Sequence, residues 1–171
     1  MALLALGCSN KPKAESPDST DPGKKEPGPT RVINSDKVNL EQRTDDGKLL
    51  WVVHGLSSVT TAQEGGTSST ELEGVTGEIY ENGSVVSTFK SMKAVANEKD
   101  KSIALAGKVS VTSLEKKATL TADTVGWDDA KKLYDARGNV KIESETYEAR
   151  ADRLLADSKL KKIATPNLFN K

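Results

Sequence analysis

The chain has 171 residues with 25 basic and 25 acidic side chains, so its formal net charge is zero. Such a chain offers no net field to draw in phosphate backbones, and nucleic acid is not an expected partner. Hydrophobic residues make up 35% and aromatic residues 4%, which suits an open or elongated sheet with much solvated surface better than a thick globular core.

The N-terminus reads "MALLALGCSN". No apolar run in the chain reaches the roughly 18 residues of a membrane-spanning helix. The stretch Ala2 to Leu6 is also shorter than a signal-peptide core and has no basic residues ahead of it. Ala5-Leu6-Gly7-Cys8 nevertheless resembles a bacterial lipobox, in which the cysteine becomes the lipidated N-terminus of a lipoprotein. Residues 1–8 are therefore read as a truncated signal or lipobox-like segment, with Cys8 as the expected lipid anchor. The competing reading of Cys8 is an incidental thiol. From residue 9 to residue 30 the composition turns to Pro, Ser, Asp, Lys and Gly, with prolines at 12, 17, 22, 27 and 29. So little apolar surface cannot offset the entropy of ordering, and the segment is expected to be a disordered tether. In polyproline geometry it would reach about 70 Å. Residues 31–171 are expected to form a single domain of about 140 residues, long enough to bury a core.

Polar reversals punctuate this body. "DDGK" at 45–48, "ENG" at 81–83, "EKDK" at 98–101 and "DDAKK" at 128–132 each separate apolar runs, and two contain the Asp-Gly or Asn-Gly pair that favours hairpins. In "SIALAGKVSV" the residues Ile103, Leu105, Gly107, Val109 and Val111 share one parity, the period of a half-buried strand. "YDARGNVKIE" does the same with Tyr134, Ala136, Gly138, Val140 and Ile142. Between them, "ATLTADTVGW" carries Ala118, Leu120 and Ala122 on even positions, then Val125 and Trp127 on odd ones. A parity change inside a strand predicts a bulge near Asp123 or Thr124.

A repeat links these runs. "ALAGKVSVTS" at 104–113 and "DARGNVKIES" at 135–144 both read Gly-x-Val-x-(Val or Ile)-x-Ser. Aligning Leu120–Val140 with Glu148–Asn167 places Ala122-Asp123 on Ala151-Asp152, Val125 on Leu154, and Trp127 on Ala156. Ala94, Ala96 and Asn97 fill the same roles upstream, and a looser unit begins at "WVVHGLSSV", residues 51–59. The repeat favours a strand over a helix in Glu145–Lys162, although the Ala, Arg, Leu and Glu content there suits a helix by propensity. Each unit reads as a strand, a polar hairpin and a second strand that begins near Gly107 or Gly138. Those glycines mark either bulges, close approach of backbone or ligand, or plain turn chemistry.

Catalytic chemistry is sparse. The lone histidine, His54, shares a parity with Leu50, Val52 and Leu56 and reads as a strand side chain. Cys8 is too far from it in sequence to suggest a dyad. The acidic pairs at 45–46 and 128–129 lie in turns and read as solvated. No glycine-rich phosphate loop, His-x-Glu or Cys-x-x-Cys occurs. The chain is expected to be no enzyme and to need neither cofactor nor metal. Trp127 reads either as core or as the lining of a hydrophobic groove.

The succession "AVANEKDKSIALAGKVSVTS", "LTADTVGWDDAKKLYDARGNVKIES" and "ARADRLLADSKLKKIA" resembles the periplasmic LptC proteins of lipopolysaccharide export, which share the OstA-like repeat with LptA. The resemblance is clear over residues 92–164 and fainter from Val38. It implies an all-β fold, an antiparallel β-jellyroll opened like a V, whose apolar interior shelters the acyl chains of lipopolysaccharide. It further implies partners on both sides: the inner-membrane subunits of an ABC transporter, and an LptA-like periplasmic jellyroll joined edge to edge near Ile163. On that basis Ile103, Leu105, Val109, Val111, Val125, Trp127, Val140 and Ile142 are the expected lipid-binding residues, with an ordinary dry core as the alternative. Family members commonly carry an N-terminal transmembrane helix, where this chain has Cys8 and a proline-rich segment. Ser9 after Cys8 would favour outer-membrane sorting under enterobacterial rules, against the family's inner-membrane position. The alternative function is a surface-tethered structural or adhesive β-repeat domain without a lipid pocket.

Overall fold

The computed structural model describes residues 30–63, 68–97 and 99–169. Cys8 and most of the proline-rich segment lie outside them. Nine strands follow one another: β1 (Thr30–Arg43), β2 (Leu49–Gln63), β3 (Ser68–Glu81), β4 (Ser84–Asn97), β5 (Ser102–Ser113), β6 (Thr119–Asp128), β7 (Leu133–Glu143), β8 (Glu148–Asp157) and β9 (Ile163–Ala164). A four-residue helix, α1 (Pro166–Phe169), comes last. Each strand pairs antiparallel with the next, so the sheet is an unbroken meander from β1 to β9. It rolls on itself into a jellyroll-like all-β fold. The Glu145–Lys162 segment forms β8 and the turn after it, as the repeat required.

The four polar stretches fall between strands as their sequences predicted. Asn82 and Gly83 adopt positive φ angles of 51° and 79°, the left-handed pair that suits a two-residue hairpin.

Gly107 and Gly138 differ from expectation, because they lie inside β5 and β7 rather than at strand starts. On β5, Gly107 and Lys108 take φ angles of 77° and 49°, and on β7, Gly138 and Asn139 take 73° and 47°. The ladder skips at these pairs: Ala106 and Val109 of β5 face Thr124 and Ala122 of β6, and Arg137 and Val140 of β7 face Arg153 and Ala151 of β8. Each pair is therefore a bulge, which bends its strand. Lys37 of β1 and Gly74 of β3 also have positive φ, at 53° and 60°. Through the strand register these positions join Leu56, Met92, Asp123 and Asp152 in one crease running across the sheet.

The crease explains the parity change seen in the sequence of β6. Asp123 and Thr124 both face solvent, after which the buried positions move from even to odd. Met92-Lys93 in β4 and Asp152-Arg153 in β8 do the same. The strands β5 and β7 keep their parity, since the bulge supplies one further residue.

Bending at the crease gives two leaves. The first carries the β1–β2, β3–β4, β5–β6 and β7–β8 turns, and the second carries the facing ends of β2 and β3 and the β4–β5, β6–β7 and β8–β9 turns. They face each other across one hydrophobic cluster, in which Trp51, Phe89, Leu72, Ile79 and Tyr134 are the bulkiest fully buried side chains. Non-adjacent strands keep their Cα atoms more than 8 Å apart, so no strand pairing joins the leaves across the interior.

Candidate functional site: the interior between the leaves

The structure brings all eight expected lipid-binding residues into the one interior cluster. Ile103, Leu105, Val125 and Trp127 belong to the second leaf, and Val109, Val111, Val140 and Ile142 to the first. Neighbouring strands place them side by side: Ile103 faces Trp127 and Leu105 faces Val125 across β5 and β6. Period-two alternation selects the inward side of each strand, and the crease then turns the two halves toward each other.

Two polar groups stand out in this apolar layer. The Tyr134 hydroxyl lies 2.6 Å from Ser87 Oγ, a hydrogen bond between the leaves from β7 to β4. Burial pushes the Tyr134 phenol well up from its ordinary range, against the hydrogen bond from Ser87. It stays neutral and serves as a dipole. Trp127 packs on Tyr134 with ring centroids 4.7 Å apart, and its Nε1 has no hydrogen-bond partner although the residue is 2% exposed. An orphaned buried donor costs about 1–3 kcal/mol.

The open margin opposite the crease is a seam of polar contacts between turns of the two leaves. Trp51 Nε1 donates to the Lys101 carbonyl at 3.4 Å, and Lys101 Nζ lies 3.5 Å from Asp45. Glu81 accepts from Ser158 Oγ and pairs with Lys159 at 3.4 Å. Ser113 Oγ donates to the Lys159 carbonyl at 2.6 Å. In every ion pair of this seam the carboxylate comes from the first leaf and the lysine from the second. Such half-exposed pairs contribute little each and yield to competing ions.

Outside the interior, His54 is a side chain of strand β2, as expected. It faces solvent with Nδ1 2.6 Å from Asn39 Oδ1. Asp46 pairs with Lys48 and Asp128 with Lys131, whereas Asp129, expected to be solvated, is buried at 8% exposure and pairs with Lys132 at 2.5 Å. Among the described residues no group of three or more His, Cys, Asp or Glu side chains is placed to hold a metal ion. A shallow cleft of about 460 Å³ lies on the outer face of the second leaf, over Ala104, Ala106 and Gly126 with Lys93 and Arg137 at its rim.

Sequence reasoning missed the contribution of β2 to β4. Trp51, Leu72, Val75, Ile79 and Phe89 are as deeply buried as the eight named residues. The alternation of Leu72 with Val75 and Ile79 is broken at the crease glycine, Gly74, which hides the signal. Leu160 was missed as well: it lies among lysines in a turn, yet is 1% exposed within the cluster.

Compared with protein families, the chain matches the model described as Lipopolysaccharide-assembly, LptC-related, over residues 1–167. The chain belongs to the LptC-related family. It is thus a component of lipopolysaccharide transport. The family is periplasmic and associated with the inner membrane. No described helix is long and apolar enough to cross a membrane. A search of curated proteins found no match.

Proposed function

We propose that the layer between the leaves shelters the acyl chains of lipopolysaccharide on their way through the periplasm. The observation that carries this reading is the single apolar cluster fed by both leaves, with no strand pairing between them. Parting the leaves exchanges side-chain contacts for lipid contacts and leaves every backbone ladder intact. Each buried CH₂ of an acyl chain is worth about 0.8 kcal/mol, so a dozen carbons offer several kcal/mol before association costs. The unpartnered Trp127 Nε1 offers a donor to a lipid carbonyl inside an otherwise apolar layer. Transfer breaks no covalent bond: the transporter supplies energy, and this protein supplies shelter.

The sheet edges are the proposed joints to the ABC transporter and to an LptA-like jellyroll. β1 is a 14-residue edge strand whose Val32 and Ile33 are exposed. At the other edge β9 pairs only with Leu155 and Ala156, which leaves the earlier residues of β8 open to an incoming strand. Cys8 is the proposed lipid anchor.

The test is photocrosslinking in cells from a photoreactive residue at position 109 or 140. Lipopolysaccharide adducts are expected from both. Intact export without any adduct would overturn the lipid shelter and leave a purely structural role.

A further inference from the structure

We propose that the junction of the β5–β6 and β8–β9 turns binds the phosphate head of an amphiphile, with Leu160 as a plug whose place the acyl chain takes. The proposal rests on the reading of the interior as a lipid shelter. It starts from two lysine-rich stretches, "LEKKA" at 114–118 and "SKLKK" at 158–162, which are far apart in sequence. The fold of the sheet brings them together. Ser113 Oγ accepts from the Lys116 amide at 3.2 Å and donates to the Lys159 carbonyl at 2.6 Å, so one hydroxyl ties both turns.

The charges around this tie are unbalanced. Lys116, Lys117, Lys159 and Lys161 stand against Glu115, Glu81 and Asp157, with Lys161 2.5 Å from Glu115, Lys159 3.4 Å from Glu81, and Asp157 accepting from the Lys161 amide at 2.7 Å. The Lys161 hydrogen bond, with help from Lys159 and Lys116, holds the Glu115 carboxyl below its ordinary range. One exposed carboxylate therefore occupies a field built from three lysines. A phosphate carries more charge and more acceptor oxygens than that carboxylate, and lysine is a compact point-charge partner for it.

Between Lys159 and Lys161, Leu160 enters the core at 1% exposure with φ of 51°. Lys132 takes nearly the same φ, 54°, at the matching position of the β6–β7 turn, so the turn sets this backbone and the burial of the leucine side chain is a separate feature. An apolar plug flanked by two surface cations reproduces the outline of an amphiphile, with its chain inside and its anion at the rim. Withdrawing the Leu160 side chain would vacate an apolar position between the two lysines.

The test is calorimetric titration of the full chain with short-chain phosphatidic acid, the diacylglycerol of the same chains, and inorganic phosphate. Phosphatidic acid is expected to bind about tenfold tighter than either other probe. Lys159→Glu with Lys161→Glu alters no buried side chain; it should lower phosphatidic acid to the diacylglycerol affinity and leave diacylglycerol unchanged. Leu160→Ala should strengthen binding of both lipids. Equal binding of the two lipids by the unaltered chain overturns the headgroup site and leaves the shelter standing. Binding of neither overturns both. Inorganic phosphate binding as tightly as phosphatidic acid overturns the amphiphile and leaves a plain anion site.

Discussion

The two copies of Gly-x-Val, in "ALAGKVSVTS" on β5 and "DARGNVKIES" on β7, bend their strands at the same crease and differ in almost everything that faces solvent. Their inward residues match: Leu105 with Ala136, Val109 with Val140 and Val111 with Ile142, all buried. Their outward residues do not. Ala104, Ala106 and Lys108 of the first copy stand where the second has Asp135, Arg137 and Asn139. The Met92 side chain lies over Gly107, whereas that of Asp123 lies over Gly138 and accepts a 2.8 Å hydrogen bond from Asn139. The shared element is thus the bend and the inner face. The outer face is left to each strand's own neighbours, even at the terminal serine: Ser113 is buried in the seam, while Ser144 accepts from the Tyr147 amide in the β7–β8 turn.

If the bend is the shared element, restricting its backbone should hurt both copies most. Gly107→Val and Gly138→Val each force a β-branched residue into the left-handed region and should each cost about 2–3 kcal/mol. Gly138→Val should be the worse, because a Cβ there would stand 3.0 Å from the Asp123 Cβ and 2.5 Å from its carboxylate. Gly126 of β6 is the control: nothing lies within 4 Å of a Cβ there, and its φ is not positive. Gly126→Val should stay within about 0.5 kcal/mol of the parent chain. Urea unfolding of the three variants measures all of these, and a Gly126→Val loss as large as the others would remove the crease from the explanation.

The inner faces should then respond alike. Val109→Ala and Val140→Ala delete equivalent buried groups, each 1% exposed in the parent, and each should cost about 1–3 kcal/mol. A difference above about 1 kcal/mol between them, read from the same unfolding curves, would mean that the inner faces of the two copies are not equivalent.

The inner face was legible in the sequence because alternation is local: the parity of Ile103 to Val111 and of Tyr134 to Ile142 needs no partner to be read. The repeat also settled β8, placing Asp152 at the position of Asp123. The crease was not legible. A glycine signals that positive φ is tolerated, but whether a strand begins or bends there depends on the neighbouring strands and the side chains, Met92 and Asp123, that lie over it. The seam was hidden for the same reason, since Glu81 and Ser158 are 77 residues apart and no local pattern joins them. Leu160 was obscured by the three lysines around it, whose charge marks the turn as solvated although its one leucine is not.

The smallest expected effect concerns the outer face, where the copies diverge. Asp135 is 28% exposed and accepts from Arg153 Nε at 2.8 Å and from Arg137 Nη2 at 2.7 Å. Partial burial pushes its carboxyl up, but the Arg153 and Arg137 guanidiniums outweigh that and hold it down to about 2. A carboxyl whose pKa is lower in the folded chain stabilises the fold above the unfolded value of about 3.9, and that contribution is lost as pH falls through about 2. Asp135→Asn should therefore cost about 1–2 kcal/mol at pH 7, with a gap to the parent that narrows below about pH 4 and closes near pH 2. The first copy has no such clamp, so Ala104→Asp, with Ala106 where the second copy has Arg137, should bring no matching gain at pH 7. Urea unfolding from pH 7 down to pH 2 compares the two. A pH-independent loss in Asp135→Asn would assign the effect to packing, and a gain from Ala104→Asp would show that the outer faces are less individual than their residues suggest.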